Sequence, residues 1–253
     1  MRNIVKVSVA GALIAGSLVA ATPAHATGSG LGAYPSTDVY GDGVWHFDAD
    51  TYSEDLTKNF GTSLGLEYGI GDKVELGFDY GVSGGATKFD ERLSLNAKYK
   101  FLDGGADGIS AAAGVWGVGK KSNGFANVGY LLGSKNFSFG RVTAGVAHSF
   151  GDKDFVGDDK TSLAIGYDKY FTPKVQFAID YYSGKNTYAG VQPTLYYYIN
   201  EKADFGLGYF RPNNKDLADT IYLCFDYNFD FKKTAEVVAP APAPETKTGE
   251  AKN

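Results

Sequence analysis

The stretch Val74-Glu75-Leu76-Gly77-Phe78-Asp79-Tyr80-Gly81-Val82 decides the fold. Drawn out as an extended chain, it turns Val74, Leu76, Phe78, Tyr80 and Val82 to one side and Glu75, Gly77, Asp79 and Gly81 to the other. That division follows because successive side chains of a strand point to opposite faces. The residues before it repeat the pattern, with Leu64, Leu66, Tyr68 and Ile70 opposed to Gly65, Glu67 and Gly69. Gly71-Asp72-Lys73 between the two is a tight turn, so the pair reads as a β-hairpin.

The same unit recurs further along. Leu163, Ile165 and Tyr167 alternate with Ala164, Gly166 and Asp168; Thr172-Pro173-Lys174 turns the chain; Val175, Phe177, Ile179 and Tyr181 then alternate with Gln176, Ala178 and Asp180. Leu195, Tyr197 and Ile199 lead through Asn200-Glu201-Lys202 to Phe205, Leu207 and Tyr209, which oppose Asp204, Gly206 and Gly208. No fixed period separates the copies, so the repeat is hairpin-sized and not a solenoid. With the less regular stretches included, strands are expected at 44–52, 61–70, 73–83, 92–102, 108–119, 124–133, 138–149, 161–171, 174–183, 189–199, 203–211 and 219–231. Tilted membrane strands need roughly 9–11 residues, which these lengths supply. The connections at 71–73, 102–107, 134–136, 172–174 and 200–202 are short, whereas those at 53–60, 84–91, 150–160, 184–188 and 212–218 are longer or more polar; 120–123 is a short exception. Short turns on the periplasmic side and long loops outside would put both ends of a barrel in the periplasm.

Period two alone does not separate a lipid-facing barrel from a soluble one with an apolar interior. The polar face decides. It mixes Gly and Ala with Asp, Glu, Asn and Lys, while the apolar face of Leu, Ile, Val, Phe and Tyr carries no charge across its central residues. A basic residue turned to lipid at the midplane costs about 2–4 kcal/mol, which accounts for that exclusion. The last strand is the strongest case, with Ile221, Leu223, Phe225, Tyr227, Phe229 and Phe231 against Tyr222, Cys224, Asp226, Asn228 and Asp230. In water such a face would drive aggregation. The fold class is therefore all-β, an antiparallel up-and-down transmembrane β-barrel of about 12 strands over residues 44–231, with outer-membrane lipid as its surroundings. The aromatic end at Tyr227, Phe229 and Phe231 resembles the terminal signal read by the barrel-assembly machinery, although Asp226 stands where Gly is often found and Phe231 is followed by a tail.

Composition agrees. The chain has 34 Gly, 18 Tyr and 17 Phe against one Met, and its mean hydropathy is −0.21; lipid and lumen faces cancel in any average. Met1, Arg2 and Lys6, the apolar run Val7–Ala21, Pro23 and Ala24-His25-Ala26 form a signal peptide over 1–26. Its removal takes two positive charges and no acid, lowering the net charge from −5 to −7. Nucleic acid is excluded as a partner, because phosphate binding needs clustered Lys and Arg. Cys224 is the only cysteine, so no intrachain disulfide forms. Residues 27–43 are expected to be a periplasmic N-terminal segment. Residues 232–253, with Ala239-Pro240-Ala241-Pro242-Ala243-Pro244, are expected to be a disordered periplasmic tail.

Several stretches carry a family resemblance: Pro35-Ser36-Thr37-Asp38, Gly43-Val44-Trp45-His46, Gly65-Leu66-Glu67-Tyr68-Gly69 and Asn96-Ala97-Lys98-Tyr99. Together they resemble uncharacterised porin-like outer-membrane β-barrel proteins of Gram-negative bacteria, over most of residues 33–231. The resemblance implies fold and location and assigns no substrate.

The inward set is the candidate site. His46, Asp48, Asp50, Glu67, Glu75, Asp79, Asp168, Asp180, Asp204, Asp226 and Asp230 face Lys98, Lys100 and Arg141 as lumen-lining groups. They make either a cation-preferring lumen or a self-satisfied network with Tyr196, Tyr198 and Tyr222. His46, Asp48 and Asp50 share a face, but at roughly 3.3 Å per residue they spread over about 13 Å. One ion could not hold all three without a neighbouring strand, so a polar wall is the better reading and no metal or other cofactor is expected. His148 and Ser149 are adjacent and point to opposite faces, which denies them a nucleophile–base hydrogen bond; no enzyme is expected. Twelve strands tilted about 40° give a backbone diameter of about 24 Å, narrowed by side chains to roughly 10 Å. No loop is long enough to plug that bore, though residues 27–43 could enter it from the periplasm. The expected function is passive passage of small hydrophilic solutes through an acidic lumen. The alternative is a closed structural or adhesive barrel acting through its loops or tail.

Overall fold

The computed structural model describes residues 30–231 apart from 33, 55–57, 83–92 and 121–124. The signal peptide and the Ala/Pro-rich tail lie outside the described residues. Twelve described strands follow in order: β1 (Val44–Glu54), β2 (Lys58–Ile70), β3 (Val74–Gly81), β4 (Leu93–Leu102), β5 (Ile109–Val118), β6 (Val128–Phe137), β7 (Gly140–Ser149), β8 (Thr161–Thr172), β9 (Val175–Tyr182), β10 (Gly190–Tyr198), β11 (Ala203–Pro212) and β12 (Thr220–Asp230). Each pairs antiparallel with the next, and β12 returns to β1 with Val44 opposite Asp230 and Glu54 opposite Thr220. Closure leaves no open edge, as a sheet surrounded by hydrocarbon requires.

The two faces sort as the alternation demands. On β8, Leu163 and Ile165 are exposed outward while Ser162, Ala164, Gly166 and Asp168 are buried inward. Around the barrel Leu76, Leu131, Leu195, Leu207 and Leu223 are each about half exposed, whereas Glu75, Lys98, Asp168 and Asp180 are 4%, 3%, 4% and 1% exposed. A continuous apolar exterior of that extent is far beyond the few hundred Å² tolerated on a water-soluble monomer. At the end where the short turns lie, Trp45, Tyr99, Phe101, Phe137, Phe171, Tyr197, Phe205 and Phe229 ring the outside. Lys135 and Lys169 reach over the Phe137 and Phe171 rings there, as amphipathic side chains do at a membrane interface.

One hairpin departs from expectation. The turn expected at 134–136 is strand, and β6 runs from Val128 to Phe137 instead of 124–133. Ser134, Lys135 and Asn136 pair with Thr143, Val142 and Arg141, and the chain reverses at residues 138–139. Their polarity has another cause: Ser134 points into the lumen and Lys135 sits at the interface.

The barrel also has an interior core. Tyr130, Leu132, Ala147, Ala164 and Tyr182 pack inside with Val156 and Tyr188 from the loops and with Tyr34 from before β1. That last residue brings the N-terminal segment into the lumen.

Candidate functional site

The described part of residues 30–43 runs inside the barrel. At the turn end, Asp42 and the 71–73 turn clasp each other: Gly71 N–H donates to Asp42 Oδ1 (2.9 Å) and Asp42 N–H to Asp72 Oδ1 (2.8 Å). From there the segment passes along β3, β4, β6 and β7. Tyr40 N–H donates to Glu75 Oε2 (3.4 Å), Lys98 Nζ donates to the Asp38 carbonyl (2.8 Å), and the Thr37 and Ser134 hydroxyls bond each other. Further in, Tyr34 stacks on Tyr182 at 3.8 Å and 9° and donates to the Tyr188 carbonyl. The chain then doubles back through a Gly30–Pro35 bridge, so that Gly32 and Tyr34 N–H both donate to Asp180 Oδ2 and Tyr196 OH donates to the Leu31 carbonyl (2.8 Å). Ser36 and Thr37 are fully buried, Leu31, Tyr34 and Tyr40 nearly so. An extended segment with its side chains is about 10 Å across, the spacing of stacked sheets, and so it fills a bore of the same width.

The basic side chains of the wall serve this segment. Arg141 Nε donates to Asp168 Oδ1 (2.8 Å) and its Nη1 donates to Asp38 Oδ2. Burial by itself would raise the Asp38 carboxyl, but the Arg141 charge and hydrogen bond, with Lys98 and Lys100 behind them, outweigh it and hold Asp38 below its usual carboxylate value. Lys98 also lies 3.7 Å from Glu75 Oε1. Lys100 instead turns to Asp103 Oδ2 (3.2 Å) at the β4–β5 turn.

The opposite sector is acidic. Reading the register across the wall, Asp204 faces Asp226, Asp226 faces Asp48, Asp48 faces Gly65, and Gly65 faces Asp79. The adjoining row runs Asn228, His46, Glu67, Gly77. Like charges directly opposite across strands destabilise a sheet, and here two such pairs are contiguous. Among the described residues none of Asp48, Glu67, Asp79, Asp204 and Asp226 has a Lys or Arg ion pair. Neutral donors and one imidazole serve instead: Asn96 Nδ2 to Asp79 Oδ2 (2.8 Å), Cys224 Sγ to Asp226 Oδ2 (3.2 Å), and His46 Nε2 lying 3.4 Å from Asp226 Oδ1. His46 Nδ1–H donates to Asn228 Oδ1 (2.9 Å), and Tyr40 stacks on its ring at 4.5 Å.

The predicted site residues thus divide into groups. Asp168, Glu75 and Lys98 attach to the basic sector, with Arg141 and Asp38. His46, Asp48, Glu67, Asp79, Asp204 and Asp226 form the acidic one. Asp180 holds the tip of the segment, and Asp50 accepts from Tyr222 OH (2.9 Å), apart from His46. Asp230 closes β12 opposite Val44. Tyr227, Phe229 and Phe231 end the chain's described part as a run of neighbouring rings. His148 is exposed, its Nδ1 2.7 Å from Thr161 Oγ1, while Ser149 is buried and donates to the Ala126 carbonyl; the pair lies on opposite faces. Sequence reasoning missed Asp38, Tyr34 and Tyr40 as lumen residues. The one signal for them was the dense run of Tyr, Ser, Thr and Asp immediately before the first strand.

A closed barrel with an apolar exterior, a charged interior and short turns at one end has the fold of porin-like outer-membrane barrels. Among solved structures, it is similar to a KdgM porin, also solved in complex with disordered oligogalacturonate: TM-score 0.52 at 13% identity, covering 73% of this chain and 99% of that one. An outer membrane channel from Pseudomonas putida F1 matches at TM-score 0.47 and 12% identity (77% and 98% covered), and Omp33 of Acinetobacter baumannii at 0.44 and 12% (75% and 100%). No protein-family model and no curated protein matches the chain.

Proposed function

We propose that this chain is an outer-membrane channel passing small hydrophilic solutes, with an acidic lumen that favours cations and with residues 30–43 setting the open area. The row Asp204–Asp226–Asp48–Asp79, without a Lys or Arg ion pair among the described residues, carries the cation preference. Fixed carboxylates along a low-dielectric wall concentrate cations and repel anions. An acidic wall disfavours an anionic chain such as the oligogalacturonate found with the KdgM porin, which bears a carboxylate on each sugar. Barrel insertion by the assembly machinery, through Phe229 and Phe231, belongs to the same reading, as do a cleaved signal peptide and a periplasmic tail. No hydrolase is proposed, since His148 and Ser149 face apart.

A second reading has its own support. The segment 30–43 fills the bore and its contacts are buried, which suits a closed structural or adhesive barrel acting through loops or tail. Planar-bilayer recordings of the mature chain and of a variant lacking 27–43 separate the two. The channel reading expects discrete steps with a cation-selective reversal potential, larger in the truncated form. Silence of both forms, each folded, overturns it in favour of the closed barrel.

A further inference from the structure

We infer that the lumen wall between β1 and β2 holds a binding site for one divalent transition-metal ion, with His46, Asp48 and Glu67 as its ligands. The three come from facing strands: His46 is directly opposite Glu67, and Asp48 is two residues along β1 on the same face. One ligand atom from each lies within 4.8 Å of the other two. An ion placed among them is then no more than about 2.8 Å from each atom, against Zn–N and Zn–O lengths of about 2.0–2.2 Å. Shifts of roughly 0.6 Å, within rotamer reach, complete the contact.

Two further observations separate this trio from a mere acidic cluster. Glu67 is more than nine-tenths buried, and its Oε2 has no hydrogen-bond partner. A bare carboxylate oxygen out of water is costly unless a proton or cation meets it. The wall is also relieved where the carboxylates lean across it. A Cβ at Gly65 would stand 1.9 Å from Asp48 Oδ2, and one at Gly77 would stand 2.5 Å from Glu67 Cγ. Both acids therefore lie flat over glycines of the next strand, a placement any side chain there would forbid. His46 is already oriented: its Nδ1–H donates to Asn228, in the manner of metal-bound histidines, and Nε2, which lies 3.4 Å from Asp226 Oδ1, becomes the ligand atom when an ion takes the place of its proton. Imidazole with two carboxylates suits Zn²⁺ or a neighbour such as Mn²⁺ better than Ca²⁺ or Mg²⁺. Two negative charges then match the 2+ ion, and three protein ligands leave a fourth tetrahedral position. Asp50, the third residue of the same face, is engaged by Tyr222 and is not a ligand. The site does not depend on whether solutes pass through the barrel.

The test is calorimetric titration of the folded mature chain in detergent with Zn²⁺ alone. One saturable equivalent per chain is expected, weakened at least tenfold in Glu67→Gln and in His46→Asn. His148→Ala and Asp50→Asn should bind as the parent does. Co²⁺ loading gives a second readout, a visible absorption band that His46→Asn abolishes. Absence of saturable binding by the parent chain means that the carboxylates share a proton, and overturns the site. Binding undiminished in both Glu67→Gln and His46→Asn overturns it too.

Discussion

Asp38→Asn tests whether the N-terminal segment is latched in the lumen by charge. The substitution preserves shape and leaves the Lys98 bond to the residue 38 carbonyl intact. It removes the carboxylate charge from the bond that Arg141 Nη1 donates, leaving a charged donor on a neutral amide oxygen, between side chains only 15% and 30% exposed. A hydrogen bond to a charged group contributes about 1.5–3 kcal/mol, with a bond between two charged partners near the top of that range and one with a single charge near its foot. The segment should lose about 1–1.5 kcal/mol of docking energy, a fall of about five- to tenfold in the docked-to-undocked ratio. Arg141 keeps Asp168 at 2.8 Å, so the wall itself should hold. Hydrogen exchange of the Gly32, Tyr34 and Tyr40 amides, all bonded to wall carboxylates, reads the docked fraction without reference to conductance. Their protection should drop by that factor while strand amides stay unchanged. The same pair gives a pH dependence. Because Asp38 is held below its usual value, its contribution is complete above the unfolded carboxylate pKa of about 3.9. It is lost as pH falls through the lowered value. Protection, corrected for intrinsic exchange, should be flat from neutrality to about pH 4 and fall below it, with Asp38's share of that fall absent in Asp38→Asn. Unaltered exchange in Asp38→Asn at neutral pH would refute the latch.

Two other outcomes follow from the same geometry. Gly69→Ala would set a Cβ 2.2 Å from the Gly41 carbonyl and 2.3 Å from that of Tyr40, backbone atoms that cannot rotate aside; overpacking of about 1–3 kcal/mol should displace the root of the segment. Exchange at 34–43 should rise in it and not in Gly133→Ala, where the nearest atom is 3.8 Å away, and equal behaviour of the two would count against a docked segment. Phe231→Ser removes a ring 63% exposed and stacked near Phe229; the heat-modifiable barrel recovered from outer membranes should fall several-fold with detergent-refolded stability unchanged, and undiminished recovery would remove Phe231 from the assembly signal.

The barrel was legible because its cause is local. Alternation through Val74–Val82 and Ile221–Phe231 assigns each side chain to lipid or lumen by period alone, and glycine, asparagine and proline turns mark where strands reverse. A polar run was misread as a turn at 134–136, since a lumen serine and an interfacial lysine look the same as loop residues until their neighbours are known. The site was legible only in its face. That His46 meets Glu67 depends on the register between β1 and β2, and that Asp48 meets Asp226 depends on closure between the first strand and the last. Neither distance along the chain nor composition encodes those pairings, because register is settled by the whole wall packing at once. Nor does any periodicity mark residues 30–43 as a lumen segment. Their place is decided by Arg141, Asp180, Tyr182 and Tyr196, which three separate strands bring to one interior. Local periodicity therefore determined which side of the wall each residue occupies, and only closure determined which residues meet inside.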